Sequence, residues 1–273
     1  MRLIPAGFDP DALARIDTGV ASIRTEHGVA LPLVVESGSR AWGFPSPDSD
    51  YDVRFLFVRP ALHYVSPWPV RDVIETPIVG DLDINGWDVG KALRLLANGN
   101  AVILEWLTSP VVYAGDPSFR DDFLSLVADV ADRDRIARHY LHLGEGQMRR
   151  SFADELSVEQ KRIFYALHPA AALRWLRQRP EATVAPMHFP TLLAECDPPE
   201  DVVGIVSELL VRKAQTHELG RAPFPPAVRA FVEAEFERAR ATFTSVSTPV
   251  AQQRRRDLDA FLRETILRLG PAA

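Results

Sequence analysis

Hydrophobic positions follow two different periods in the first part of the chain. Apolar residues recur at helical spacing through residues 11–27, which predicts an amphipathic helix. Short runs rich in β-branched residues predict strands at residues 31–35, 52–58, 73–79 and 82–87. Asp88 is the predicted N-cap of a helix that follows the last of these strands.

Strand signals stop after the Gly- and Pro-containing break at residues 113–117. Helical patterns follow at residues 117–129, 133–152, 157–178, 200–216, 225–241 and 249–269. The sequence therefore predicts an α/β domain over residues 1–115 and an all-helical domain over residues 116–273.

Composition supports a folded, soluble protein. The 273 residues are 47% hydrophobic and 25% charged, with a net charge of -6, which is close to the globular average. No apolar run reaches the roughly 18–20 residues that a membrane span needs, and the first residues do not resemble a secretory signal. We therefore expect a cytoplasmic protein with no membrane partner. A single cysteine, Cys196, provides neither a disulfide framework nor a thiolate zinc site.

Positive charge is concentrated in residues 131–180, which carry ten basic and six acidic residues. A local field of this kind can steer a polyanion toward an acidic protein. A solvated helical face explains the same charges equally well, so this segment leaves RNA binding open.

The residues with the clearest chemistry lie between positions 36 and 54. Gly38 and Ser39 follow a predicted strand at a point where a helix can begin, and such a junction exposes backbone N–H groups to a phosphate. A tight turn without a ligand is the alternative. Asp50 and Asp52 are two residues apart at the start of a strand, so their carboxylates face the same side.

Two carboxylates on one side of a strand favour a divalent cation between them, and Mg²⁺ binds one or two carboxylates together with substrate phosphates. An acidic turn with solvated side chains is the alternative interpretation. In the predicted strand at residues 82–87, alternation places Asp83 on the polar face, while Leu82 and Ile84 lie on the other face. Three such carboxylates beside a phosphate-accepting turn are typical of two-metal phosphoryl transfer.

These residues resemble the signature of the DNA-polymerase-β-like nucleotidyltransferase superfamily. The longer motifs are similar to one branch, the predicted nucleotidyltransferases associated with RNA ligase genes. The motifs that carry the resemblance are Gly38–Gly43, Ser49–Arg54, Asp83–Asp88 with Lys91–Leu93, Gly99-Asn100, Leu104–Leu107 with Ser109-Pro110, and Lys161–Pro169 with Trp175.

The resemblance implies an α+β fold in which a small mixed-sheet catalytic domain precedes a helical domain that binds nucleotide and acceptor. It implies two Mg²⁺ ions, with Mn²⁺ as a substitute, and a nucleoside triphosphate (NTP) as substrate. Asp50, Asp52 and Asp83 would be the catalytic metal ligands. The nucleotide would contact Gly38, Ser39, Arg40, Lys161 and Tyr165.

Several of these assignments have a simpler alternative. Lys161, Tyr165 and His168 fall on one face of a predicted helix, which is either the nucleotide face or an ordinary amphipathic face. Arg40 and Arg54 flank the carboxylates and could contact phosphate or form ion pairs. His168 and Arg162 depart from the family pattern, which leaves their contact with the triphosphate open.

Other candidates are expected to be structural. We interpret His139 and His142 as packing or surface residues, Trp106 as a core residue rather than a stacking platform, and Lys213 as a solvated lysine rather than a residue that reaches the acceptor. The chain has neither a phosphate-binding Walker A loop nor a Gly-x-Ser-x-Gly nucleophile turn.

The expected reaction is transfer of a nucleoside monophosphate to an acceptor hydroxyl with release of pyrophosphate. The family association favours an RNA end and a functional link to an RNA ligase. A protein hydroxyl, a small molecule such as an aminoglycoside, and a nucleotide sensor or RNA-binding accessory protein with little turnover stay open as alternatives.

Overall fold

The computed structural model describes residues 1–68, 70–152, 157–217, 219–244 and 250–272. Five strands form one mixed sheet in the order β3-β4-β2-β1-β5. They are β1 (Ala30–Glu36), β2 (Tyr51–Val58), β3 (Val73–Glu75), β4 (Leu82–Asp88) and β5 (Val112–Gly115). This order places β2 at the centre of the sheet. The β2–β4 pair is parallel and the other pairs are antiparallel.

Four helices accompany this sheet: α1 (Pro10–His27), α2 (Ser39–Trp42), α3 (Val89–Ala97) and α4 (Ala101–Thr108). Helix α1 begins where the side chain of Asp9 accepts from the Asp11 N–H and ends at Gly28, whose φ of 57° suits glycine. Asp88 caps α3 as predicted, because its carboxylate accepts from the Gly90 N–H at 2.8 Å.

The remaining helices are α5 (Pro117–Val130), α6 (Arg133–Ser151), α7 (Ile163–Gln178), α8 (Phe189–Cys196), α9 (Glu200–Gln215), α10 (Pro226–Thr242) and α11 (Gln252–Leu269). Two short strands, β6 (Val158–Glu159) and β7 (Arg221–Ala222), pair beside α7. In the part of the chain that the structure describes, no helix is both long and apolar enough to cross a bilayer.

The alternation along β2 determines where the functional residues point. Val53, Phe55 and Phe57 face α1 and form a smaller core on that side of the sheet. Leu56 and Val58 lie on the opposite face of β2 and pack into a larger core with the other helices. Asp52 and Arg54 share the register of Leu56 and Val58, so they lie at the polar end of the face that the helical half covers.

The predicted α+β class is confirmed: a small mixed sheet is followed by helices. Details differ. The strand predicted at residues 73–79 ends at Glu75, because Pro77 has no N–H to donate to a sheet. The helix predicted at residues 157–178 begins only at Ile163, after β6 and a 3₁₀ turn. The first residue of the helix predicted at residues 249–269 lies outside the described residues.

Strands β5, β6 and β7 and helix α8 were not predicted, and the pair β6–β7 lies in the half that was expected to be all-helical. Strand β5 has only four residues, which is too short to show alternation, and it is identified by its pairing with β1. Helix α8 begins with a proline in its first turn, where proline starts a helix rather than ending one.

The predicted domain boundary at residue 115 falls at the end of β5. The larger core is continuous across this point, since it joins Leu33 and Leu56 of the sheet to Phe164 and Phe236 of α7 and α10. Helix α11 also returns to the first half and packs on α5, α3 and β2.

A buried carboxyl group lies where the two halves meet. Glu105 of α4 accepts a hydrogen bond from the hydroxyl of Tyr140 at 3.2 Å, and its Oε1 lies 4.0 Å from the Nδ1 of His168. Burial raises the pKa of Glu105 to about 7 and lowers the pKa of His168 to about 4. Both groups are therefore neutral in the folded protein over a wide pH range.

Glu105→Gln should change how stability depends on pH. In the wild type, the unfolded chain ionises Glu105 near pH 4.5 but the folded chain only near 7, so the free energy of unfolding falls as pH rises between these values. The variant lacks this loss, and by pH 7.5 it should be more stable than the wild type by roughly 2–3 kcal/mol.

Urea unfolding at a series of pH values measures this difference. Subtracting one protein from the other removes the contribution of His168, which has the opposite slope. The exposed Glu208→Gln variant is the control and should show no such trend. A constant difference between Glu105→Gln and the wild type would contradict the prediction.

Candidate active site

A cavity of about 400 Å³ opens where the N-terminal ends of β2 and α2 meet residues of α7 and α9. Its lining combines carboxylates, hydroxyls, cations and aromatic rings. The residues are Ser37, Gly38, Ser39, Trp42, Phe44, Ser46, Asp48, Ser49, Asp50, Asp52, Arg54, Lys161, Tyr165, Lys213 and His217. Six of the eight predicted site residues are among them. Arg40 and Asp83 lie outside the lining that the described residues form.

Gly38 allows the turn after β1 to approach the carboxylate of Asp52. A Cβ atom at this position would lie 1.9 Å from the Oδ2 of Asp52, far inside contact distance. The N–H of Gly38 does not face the cavity, because it donates to the Oε1 of Glu36 at 3.2 Å. Glycine is therefore needed here for space more than for a free N–H group.

Glu36 connects the turn to the carboxylate strand. Its Oε1 also accepts from the Asp52 N–H at 2.9 Å, and its Oε2 accepts from the hydroxyl of Tyr113 at 2.6 Å. The side chain is completely buried, and burial raises its pKa to about 7. Glu36 was not among the predicted site residues, although an acidic residue that ends an apolar strand just before Ser-Gly-Ser is a usable signal.

Asp50 and Asp52 both line the cavity, on the side that the sequence predicted they would share. Asp83 lies directly beside Asp52, because the two are register partners in the parallel β2–β4 pair. Burial raises the pKa of Asp52, and the neighbouring charges of Asp83 and Asp50 act in the same direction. Three acidic groups thus lie close together at the start of β2 and β4.

Arg54 lies between two of these carboxylates. Its Nη2 donates to the Oδ1 of Asp52 at 3.2 Å and to the Oδ2 of Asp83 at 2.8 Å. The other oxygen of Asp83 accepts from the amide of Asn85 at 2.6 Å. Of the two roles considered for Arg54, the structure thus shows the ion pair.

The carboxylates fit a divalent cation only in part. Among the described residues, no three histidine, cysteine, aspartate or glutamate side chains are arranged to hold a metal ion together. The reason is that Arg54 already separates Asp52 from Asp83. Asp50 and Asp52 nevertheless present carboxylate oxygens to the cavity, and such oxygens suit an oxygen-ligated ion such as Mg²⁺.

Arg40 supports the loop that carries Asp50. It donates to the carbonyl oxygens of Ser49 at 2.6 Å and Asp50 at 3.2 Å, and its guanidinium lies 4.0 Å from the centre of the Tyr51 ring. These contacts hold the residues before β2 in place.

Three serine hydroxyls from this loop and from α2 meet at one side of the cavity. The Oγ of Ser49 lies 3.0 Å from the Oγ of both Ser39 and Ser46, and it accepts from the Ser46 N–H at 2.8 Å. The ammonium of Lys213 lies 3.4 Å from the Oγ of Ser46. Polar donors from distant parts of the chain thus meet in one place.

Lys213 was predicted to be a solvated lysine, and this prediction is wrong. Only 8% of the residue is exposed, because α9 packs across the loop and places the ammonium 5.7 Å from the centre of the Phe44 ring. Burial lowers the pKa of Lys213, while Asp48 raises it. The periodicity of α9 could not show this position, since the contact depends on a segment more than 160 residues away.

Lys161 also lines the cavity, but it lies in the 3₁₀ turn before α7 rather than in the predicted helix. Tyr165 of α7 is 47% exposed and packs edge-on against Trp42 at 5.6 Å. His168 is only 2% exposed, stacks beneath Trp42 and lies 3.3 Å from the Met187 carbonyl oxygen. A buried, neutral His168 supports Trp42 and does not face a triphosphate.

The other departure from the family pattern, Arg162, pairs with Glu159 at 2.8 Å and donates to the Oγ of Ser151. Trp106 is a core residue as expected, and its Nε1 donates to the Oγ of Ser37. His139 accepts from the Ala101 N–H at the start of α4, which is a packing role.

Most arginines of the basic segment at residues 131–180 hold helices together. Arg174 and Arg177 both donate to the buried Glu235, at 3.0 and 2.9 Å, and Arg133 donates to the carbonyl of Leu176. Asp154 and Glu155, which were counted in this segment, lie outside the described residues. The charge of the segment therefore gives little support to RNA binding.

Comparison with known proteins identifies the family. Residues 13–264 match the sequence model of the RNA repair pathway DNA polymerase beta family. The chain belongs to this family. It is also 37% identical over 227 residues to the uncharacterized protein YcgL of Bacillus subtilis (strain 168), a match that covers 82% of this chain and 85% of YcgL.

Family membership confirms the resemblance to polymerase-β-like nucleotidyltransferases associated with RNA repair. Such enzymes generally use divalent metal ions and nucleoside triphosphates. The roles of individual residues stay predictions.

Gly38→Ala should weaken nucleotide binding. The new methyl group would displace the Asp52 carboxylate or open the turn, because no space exists between them. We expect at least about a tenfold loss of NTP affinity, measured by calorimetry with Mg²⁺. Gly204→Ala is the matched control, since a Cβ there meets nothing within 4 Å. Equal affinities for Gly38→Ala and the wild type would contradict the account of the turn.

Proposed function

We propose that this protein is a metal-dependent nucleotidyltransferase that moves a nucleoside monophosphate from an NTP to an acceptor hydroxyl. One observation carries the proposal: two carboxylates, Asp50 and Asp52, and two lysines, Lys161 and Lys213, line the same cavity. A triphosphate with its bound cation has the charge pattern that complements this lining.

The lysines are suited to the β- and γ-phosphates. Lys161 and Lys213 supply positive charge, and the hydroxyls of Ser39 and Ser49 supply neutral donors beside them. Lys213 is buried, which strengthens its contacts because charge–charge interactions are less screened away from bulk water, whereas Lys161 is exposed. Tyr165, supported by Trp42, offers an exposed ring for the base or sugar.

Asp50 and Asp52 would hold the divalent cation. Bound there, Mg²⁺ or Mn²⁺ would neutralise phosphate charge and lower the pKa of the acceptor hydroxyl. Asp83 stays the predicted third carboxylate and proton acceptor. Its Oδ2 accepts from Arg54 and its Oδ1 from Asn85, so it becomes available for that role only when Arg54 moves.

The reaction is an in-line displacement at the α-phosphorus. The acceptor oxygen forms a bond to the α-phosphorus, the bond from that phosphorus to the bridging oxygen of the β-phosphate breaks, and pyrophosphate leaves. The acceptor proton passes to Asp83 or to solvent. The protein contributes mainly positioning and electrostatic stabilisation.

An RNA end is the acceptor that we propose, together with a functional link to an RNA ligase. The support for the RNA acceptor comes from the family, which is named for an RNA repair pathway, while the ligase link rests on the resemblance of the motifs alone. The paired arginines of residues 131–180 do not add to this support.

Label transfer tests the proposal. Each α-³²P NTP is incubated with Mg²⁺, the protein and either total RNA or total protein, and we expect label on RNA. Asp50→Asn/Asp52→Asn should abolish transfer, because the neutral amides remove two negative charges and bind the cation far more weakly than carboxylates. Lys213→Met should raise the KM for NTP more than it lowers kcat, because it removes a contact to a phosphate that is already bound in the ground state.

Half-buried Lys91, which pairs with Asp72 and does not line the cavity, provides the matched control Lys91→Met. Label on protein would replace the RNA acceptor with a protein acceptor. Transfer that persists in the double aspartate variant, or Mg²⁺-dependent binding with no transfer to RNA, protein or a small-molecule panel, would contradict the proposed activity.

A further inference from the structure

Arg54 occupies the place where a cation is expected. It follows Asp52 by two residues on β2, so both side chains lie on the same face, and its guanidinium contacts Asp52 and Asp83 together. Its Nη1 also donates to the carbonyl oxygens of Val53 and Asp83, each at 3.0 Å. Four hydrogen bonds to carboxylate and carbonyl oxygens hold the guanidinium in one position.

The three carboxylates consequently differ in how many of their oxygens are free to bind a cation. Both oxygens of Asp83 accept hydrogen bonds, one from Arg54 and one from Asn85. Asp52 gives one oxygen to Arg54, and its other oxygen lies beside Gly38. Asp50 and Asp52 line the cavity, whereas Asp83 lies outside the lining formed by the described residues.

The side chain of Arg54 also borders the cavity. A triphosphate placed there would offer the guanidinium new anionic partners, and guanidinium groups bind phosphate and carboxylate through the same fork of N–H groups. Arg54 can therefore exchange a carboxylate partner for a phosphate partner.

We propose that Arg54 is a positioning residue that keeps Asp83 out of the metal site in the free protein and makes full metal binding depend on the nucleotide. This inference rests on the proposed function. In the free protein, only Asp50 and part of Asp52 are open to a cation, and the positive charge of Arg54 repels it. When a triphosphate draws Arg54 away, Asp83 joins the other two carboxylates.

Mn²⁺ binding measured by electron paramagnetic resonance tests this directly, without turnover. The wild type should bind Mn²⁺ weakly alone and more tightly with a nonhydrolysable NTP analogue. Arg54→Met should bind Mn²⁺ at least about tenfold more tightly than the wild type without nucleotide, since it removes a like charge a few ångströms from the ion. The analogue should then add little further affinity.

A second substitution tests whether the increased Mn²⁺ affinity of Arg54→Met comes from Asp83. Asp83→Asn should leave Mn²⁺ binding by the free wild type nearly unchanged, because Asp83 is already engaged. In the Arg54→Met background, the same substitution should remove the gain. Arg15→Met is the matched control, because Arg15 of α1 also pairs with an aspartate, Asp81 just before β4 at 2.7 Å, but does not line the cavity.

Thermal unfolding provides a second measurement that does not require Arg54→Met to be as stable as the wild type. Thermal unfolding with and without Mn²⁺ should show a larger stabilisation of Arg54→Met than of the wild type, because binding to the folded state raises stability. Arg54→Lys keeps the charge and should behave more like the wild type in both measurements.

The outcomes separate the two proposals. Equal Mn²⁺ affinity for Arg54→Met and the wild type, or a gain that survives Asp83→Asn, would overturn the role of Arg54 while leaving the nucleotidyltransferase intact. Mn²⁺ binding that is undetectable with the NTP analogue, or unaffected by Asp52→Asn, would overturn the proposed function and this inference with it.

Discussion

The carboxylate of Glu36 holds together the two halves of the site. One oxygen accepts from the N–H groups of both Gly38 and Asp52, and the other accepts from Tyr113 on β5. These bonds fix the turn after β1 against the first residues of β2. Because the group is fully buried, loss of one partner would leave a polar atom without compensation. The close approach of Gly38 to Asp52 depends on this arrangement.

Charge separation across the cavity follows from the fold. The sheet supplies Asp50 and Asp52, while Lys161 and Lys213 come from the segments before α7 and in α9. The continuous core between the halves holds the aspartates and the lysines on opposite sides of the cavity. Glu105, Tyr140 and His168 lie buried in this core. Arg54 neutralises part of the acidic side, which reduces the repulsion among the aspartates there.

Local pattern was enough to predict the acidic side of the site. Gly38, Asp50 and Asp52 lie within 15 residues of one another, and the i, i+2 spacing predicts that the two aspartates face one side. Both line the cavity, although β2 begins only at Tyr51, one residue after Asp50. Lys213 could not be predicted in this way, since its burial depends on α9 packing against Phe44. The ion pair of Arg54 was one of two alternatives, and only the β2–β4 register decides between them. Likewise, β5 is too short to be seen without its partner strand.

The most direct test of the account is the position of the metal ion. A crystal of the wild type with Mn²⁺ and a nonhydrolysable NTP analogue, measured at the manganese absorption edge, would locate the ion independently of any activity assay. The account predicts an anomalous peak coordinated by Asp50 and Asp52, with the β- and γ-phosphates on the side of Lys161 and Lys213. A triphosphate bound elsewhere, or a manganese peak away from both aspartates, would contradict it.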